Sequence, residues 1–159
     1  MKSLTATYNI LTSNSALNTA VSGRISPLRL PQAITFPAIS YFQVSLIPNN
    51  TQSGYSKSDF ARVQVNIFGL TLASCLDIAD KTRTAMQISP GTFNGVYVHQ
   101  VKFDNEVLLS DDSAGEEGIY HVAQDYIINL NTSTTITDYR ILLENAEFLL
   151  LENGDKILA

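Results

Sequence analysis

The side chains able to do covalent or metal chemistry are few. Cys75 is the only cysteine, and His99 and His121 are the only histidines. A nucleophile needs a base in reach and a third group to orient that base. The sequence has no Gly-x-Ser-x-Gly turn, and Cys75 falls on the apolar side of a helical repeat, the pattern of a buried structural thiol. A metal site needs several convergent ligands. His99 and His121 lie on two strand-like segments that can pair and bring the rings together, but no third ligand accompanies them, so they read as ordinary sheet residues. Asp111, Asp112, Glu116 and Glu117 resemble a cation loop at first sight. A calcium loop needs Gly at its sixth position, where Glu116 stands, so this cluster reads as a solvated acidic hairpin tip. Gly91-Thr92-Phe93-Asn94-Gly95 precedes a strand, whereas phosphate loops precede a helix, and is therefore a turn. Asn49-Asn50-Thr51 and Asn131-Thr132-Ser133 match the glycosylation sequon, which is idle without export. No catalytic, cofactor-binding or metal-binding residue is assigned, and neither enzyme activity nor a cofactor is expected.

The elements that would position these residues follow from hydrophobic spacing. Leu4, Tyr8 and Leu11 recur at helical intervals. Ser13-Asn14-Ser15 interrupts them, and Ser15 can cap a short second turn carrying Leu17, Ala20 and Val21 before Gly23 stops it. Pro27, Pro31 and Pro37 mark an extended connector. Ala38 to Ile47 reads as a buried strand ending at Pro48, and polar Asn49 to Asp59 as a long mobile hairpin loop. Ala61, Val63, Val65 and Ile67 alternate with Arg62, Gln64 and Asn66, the cleanest half-buried strand in the chain. Leu72, Cys75, Leu76, Ala79 and Met86 fall on one face of a helix, with Asp77 four residues before Lys81 on the wet side. Pro90-Gly91 ends it, Asn94-Gly95 turns into a strand over 96–103, and the 110–118 loop leads to a last strand, Ile119–Leu130. The expected fold is α+β, with a four-stranded, mainly antiparallel sheet, two helices on one face and the order α-β-β-α-β-β.

Beyond Leu130 the composition shifts. Asn131-Thr132-Ser133-Thr134-Thr135 is a polar linker, and Leu142-Leu143-Glu144-Asn145-Ala146-Glu147 recurs eight residues later as Leu150-Leu151-Glu152-Asn153-Gly154-Asp155. Asn153-Gly154 is a two-residue hairpin signal. A lone hairpin is marginal in water, so this Leu-rich one is expected to dock on a neighbour. The division is thus residues 1–130 as one domain and 131–159 as a linker and β-hairpin extension.

Length and charge bound the class. A chain of 159 residues, 45% hydrophobic and 16% charged, is one domain's worth and is neither low-complexity nor mostly disordered. Its longest apolar run is three or four residues, so nothing spans a bilayer, and Met1-Lys2-Ser3-Leu4-Thr5 begins no signal peptide. The lone thiol fits a reducing compartment. Residues 1–100 carry seven Lys/Arg against three Asp/Glu, and residues 101–159 three against twelve. Only Arg24 and Arg29 form a mild basic cluster, and the acidic half would repel phosphates, which argues against tight nucleic-acid binding.

Four strings together resemble the tail-completion, or tail-terminator, proteins of long-tailed bacteriophages. Gly23-Arg24-Ile25-Ser26-Pro27, with Leu30-Pro31-Gln32 and Phe36-Pro37-Ala38-Ile39, is similar to the connector after that family's first helix. Ala61–Ile67 running into the 72–86 helix is similar to its second strand and second helix. Gly95-Val96-Tyr97-Val98-His99-Gln100 and Tyr120-His121-Val122-Ala123-Gln124-Asp125-Tyr126 resemble its last two strands. The resemblance covers about residues 3–130, and the repeat after residue 135 departs from it. It implies a structural virion protein made in the host bacterial cytoplasm. Its copies would form a six-membered ring at the head-proximal end of the tail, stop tail-tube polymerisation and offer a docking face to the head or neck. The implied partners are its own copies, the tail-tube protein and a head–tail connector or stopper, with DNA passing through the lumen without specific binding. Contacts would come from the 49–59 and 110–118 loops and the C-terminal hairpin, and an acidic lumen would keep DNA from sticking. Two other roles are compatible with the same residues: a connector or stopper of the neck, and a small ligand-binding α+β domain.

Overall fold

The computed structural model describes residues 1–51, 54–111 and 118–131. The acidic tip at 112–117 and the repeat within 132–159 lie outside the described residues. The elements are α1 (Lys2–Ser13), α2 (Ser15–Ala20), β1 (Ile25–Pro27), β2 (Ala38–Thr51), β3 (Gly54–Gly69), α3 (Leu72–Met86), β4 (Gly91–Phe93), β5 (Val96–Asp111) and β6 (Ile119–Asn131).

The α+β class and the helices on one face hold, but the sheet has six strands, not four, in the order β1-β2-β3-β6-β5-β4. The additional strands are three residues each and flank the sheet. β1 runs parallel to β2 at Ile39–Tyr41, and β4 pairs antiparallel with β5 at Val96–Val98. Asn94 and Gly95 both have positive φ, 47° and 79°, the geometry of a two-residue turn that matches strand twist. Segments this short leave no periodic trace, and β1 contains Pro27, tolerated only because it stands at an edge.

The central strands are built as their alternation predicts. Ala61, Val63, Val65 and Ile67 of β3 and Val122, Gln124, Tyr126, Ile128 and Leu130 of β6 point to the helix side, each at most 1% exposed. α1 adds Ala6, Ile10 and Leu11 to this core, and α3 adds Cys75, Ile78, Ala79 and Met86. Leu72 and Leu76, expected on the same face, are 40% and 41% exposed. Leu76 sits about 100° round the helix from Cys75, and Leu72 belongs to the first turn, beyond the sheet's cover. Gly69 lets α3 begin close to β3: a Cβ there would stand 3.3 Å from the Cys75 Cβ. The Thr71 side chain caps α3 by accepting from the Ser74 N–H, and Asn14, not Ser15, caps α2 by accepting from the Leu17 N–H. Asp77 and Lys81 pair on the wet side as expected.

The outer long strands depart most from expectation. β2 does not stop at Pro48, nor is 49–59 a loop: β2 continues to Thr51 and β3 begins at Gly54, so the polar segment is a two-stranded ribbon. Its backbone ladder needs no apolar alternation, which is why the polar composition reads as loop. Nor is β2 buried throughout, since Val44, Leu46 and Ile47 are 49%, 43% and 63% exposed. β5 likewise runs beyond 103 to Asp111, with Val107, Leu108 and Leu109 exposed.

Candidate assembly interface

The residues able to do chemistry are dispersed. Cys75 is fully buried, its thiol directed at the carbonyl oxygens of Ile67 and Tyr120, both at 3.5 Å, and burial raises its pKa. His99 and His121 do sit on paired strands, yet the register separates them: His121 faces Leu109, and His99 adjoins Val98, which faces Leu130 at the far end. His99 Nε2 lies 2.8 Å from Asn131 Oδ1. His121 Nε2 lies 2.9 Å from Asn66 Oδ1, and its ring stacks on Phe68 at 4.5 Å. Desolvation lowers the His121 pKa. Among the described residues, no three His, Cys, Asp or Glu side chains come together as a metal set. No helix among them is long and apolar enough to cross a membrane.

Two polar arrangements tie the strands together. On the helix side, Tyr126 donates to Gln124 Oε1 at 2.7 Å, while Gln124 Nε2 donates to the Ala79 carbonyl at 3.0 Å and to Glu106 at 2.7 Å. This chain ties α3 to β6 and β5, and burial followed by the Glu106 charge raises the Tyr126 pKa. On the helix-free side Arg62 pairs with Asp104 at 2.9 Å and Asp125 at 3.7 Å, bridging β3, β6 and β5. A crevice of about 540 Å³ lies between α1 and β1–β2, lined by Leu4, Tyr8, Ile25, Tyr41 and Asn94 among others. Burial, followed by the neighbouring Tyr8, pushes the Tyr41 phenol up to about 12. The crevice lining includes no Asp, Glu, Lys, Arg or His side chain, so its side chains offer a ligand hydroxyls and the Asn94 amide but no charge.

What the fold does offer is edge. β1 covers β2 only at Ile39–Tyr41, and β4 covers β5 only at Val96–Val98. Among the described residues the outer ladders of β2 from Phe42 and of β5 from His99 to Asn105 have no strand beside them. Free N–H and C=O rows of this kind pair readily with another chain. Both strands also carry bulges. β2 is irregular between Gln43 and Ser45 and between Pro48 and Asn50, β5 between Val98 and Gln100 and between Phe103 and Asn105. The bulged Asp104 is the residue that reaches Arg62.

A family model described as "Tail completion protein gp17" matches residues 5–129. The chain belongs to this family. The match spans α1 through nearly all of β6 and stops where the polar linker begins, which agrees with the resemblance carried by the connector, the β3–α3 unit and the last two strands. No curated protein matches the sequence. Among solved structures, a chain of the virion of a native gene transfer agent particle superposes with a TM-score of 0.66 at 9% identity, over 79% of this chain and 92% of that one. At that identity the likeness is one of fold. A structural tail protein is thus the level of function that family membership carries, and it assigns no catalytic role to Cys75, His99 or His121.

Proposed function

We propose that this protein is a tail terminator. Its copies close into a ring, six-membered by family resemblance, at the head-proximal end of a phage tail. The ring ends tail-tube polymerisation and presents a docking face to the head or neck. The observation that carries the reading is a tail-completion fold in which, among the described residues, both outer long strands have open ladders. A ring requires one surface to meet a different surface on the next copy, and two unlike edges on opposite sides of one sheet meet that requirement. That the superposing chain comes from a phage-like virion supports a place in the particle. The partners on this reading are other copies, the tail-tube protein and the connector or stopper, with DNA passing through unbound. Residues 1–130 form the ring-building domain, and 131–159 form an extension that docks on a neighbouring protein.

The test is negative-stain microscopy of particles from the parent virus lacking this gene. Overlong tubes detached from filled heads are expected. Free tails of normal length beside leaking heads would make the protein a connector or stopper instead, and intact infectious virions would overturn the structural role.

A further inference from the structure

Resting on the ring reading, we propose that neighbouring copies join by continuing one antiparallel sheet, with β2 residues 42–47 of one copy paired to β5 residues 100–105 of the next. Three observations define this junction. The first is direction. β2, β3, β6 and β5 alternate strictly, so rotation about an axis along the strands brings β5 of the next copy antiparallel to β2. The same ladder can then repeat without interruption.

The second is height. Through β3 and β6 the register places Phe42 level with Gln64, Asp125 and Asn105, and Ile47 level with Phe60, Asn129 and Gln100. The open stretches therefore lie at one level on opposite edges. The window is bounded on both sides: β1 occupies the β2 edge just above, at Tyr41, and β4 occupies the β5 edge just below, at Val98.

The third is count. Between those two levels each edge strand holds one bulged residue, Val44 in β2 and Asp104 in β5, so each spends six residues where β3 and β6 spend five. A bulge on one edge alone would throw the joint out of register by one residue and invert every side chain beyond it. With one on each, Phe42 meets Asn105 and Ile47 meets Gln100 with faces matched. In between, Ser45 opposes Lys102 and exposed Leu46 opposes Val101. Exposed Val44 meets the partly buried Phe103.

The junction also fixes which face lines the bore. Helices need the larger radius, so the helix-free face turns inward. Six copies of four long strands, spaced about 4.8 Å apart, give a barrel roughly 37 Å across its backbone. Side chains reduce this to about 25 Å, against roughly 20 Å for a duplex. On that face Arg62 and Lys102 are offset by Asp104 and Asp125, and Gln64, Asn66, Gln100, Asn105 and Asn129 supply neutral amides. The same face also carries Phe42, Ile47, Phe60 and Ile127, so the strand-lined bore is mixed in polarity and near-neutral in charge, and its described walls do not depend on acidity to release DNA.

Paired cysteines at Ser45 and Lys102 test this in the full chain, since opposed residues of adjacent strands lie within disulfide reach. Oxidising assembled tails should give a ladder of cross-linked chains ending at the ring's own number. A Ser45→Cys/Leu109→Cys pair, seven residues out of register, should give none. A ladder stopping at dimers, or rings visible by microscopy that do not cross-link, would overturn the edge contact while leaving the ring reading intact. Wild-type tails that carry no ring of this protein would overturn both. Charge offers a second readout: Ser45→Lys, facing Lys102 of the next copy, should lower the yield of joined particles roughly tenfold over the repeated junctions. Adding Lys102→Glu to the same chain should restore it. Within one copy three strand spacings separate the two residues, so rescue has no intramolecular explanation, and its failure would contradict the proposal.

Discussion

The inner and outer pairs of long strands in this sheet follow different rules. β3 and β6 pair without a break from Ser58–Asn131 to Gly69–Tyr120, and their helix-side residues are apolar apart from Asp59 and Gln124. β2 and β5 are bulged twice each, change from buried to exposed along their length, and leave isoleucine, leucine and valine in solvent. Hydrophobic burial explains the apolar face of the first pair. It does not explain the second, because a side chain like Ile47, 63% exposed, adds little to the stability of a lone copy. The two pairs divide the labour: the inner strands hold the fold, and the outer strands carry the exposed edges on which the proposed junction rests.

The division can be broken most severely at the centre. Ile128→Ala removes a fully buried side chain between β3 and β5, and should cost about 2–5 kcal/mol in urea unfolding. Gly69→Ala tests how closely α3 must approach β3. With the Cys75 Cβ 3.3 Å from the new methyl, α3 must give way by a few tenths of an ångström; a cost of about 1–3 kcal/mol by the same measurement marks a rigid junction, and no cost a compliant one. Arg62→Gln probes the tie across the helix-free face. It leaves Asp104 and Asp125 without their cation, Asp125 having a buried Oδ1 with no hydrogen-bond partner. Because the Arg62 side chain is 39% exposed, solvent screening holds the loss to about 1 kcal/mol.

Smaller still is the pH response at His121. Its folded pKa is lowered from 6.5 by desolvation, so the unfolded chain binds the proton more tightly. Stability is then full above the unfolded pKa and falls as pH drops below it. His121→Gln should flatten that slope in thermal melts taken at descending pH. At the other extreme, Ile47→Ser on the outer edge should shift unfolding by less than about 0.5 kcal/mol yet reduce joining of tails to heads. An equal loss of stability at Ile47 and Ile128 would erase the distinction between the strand pairs.

How much of this was legible in the sequence follows the same line. β3, α3 and β6 bury one face against water, and that contrast is what periodicity records. Ala61 to Ile67 showed it without ambiguity, and the buried Cys75 followed from it. The outer strands are held by backbone ladders whose donors and acceptors are the same for every residue, so Asn49, Ser58 and Asp59 read as loop. Three-residue β1 and β4 fall below any periodic signal. For a related reason the histidines read correctly as residues of paired strands, whereas the register that sets His99 and His121 at opposite ends leaves no mark in residue type. The open edges, the nearest thing here to a functional site, had no signature in residue type, because they consist of main-chain groups.

Amide hydrogen exchange, compared between the free chain and the chain in assembled tails, tests the central claim most directly. The amides of β3 and β6 should be protected in both states. Those of residues 42–47 and 99–105 that point outward should exchange freely in the isolated chain and become protected in the tail. Outer-edge amides that exchange equally fast in both states would contradict it.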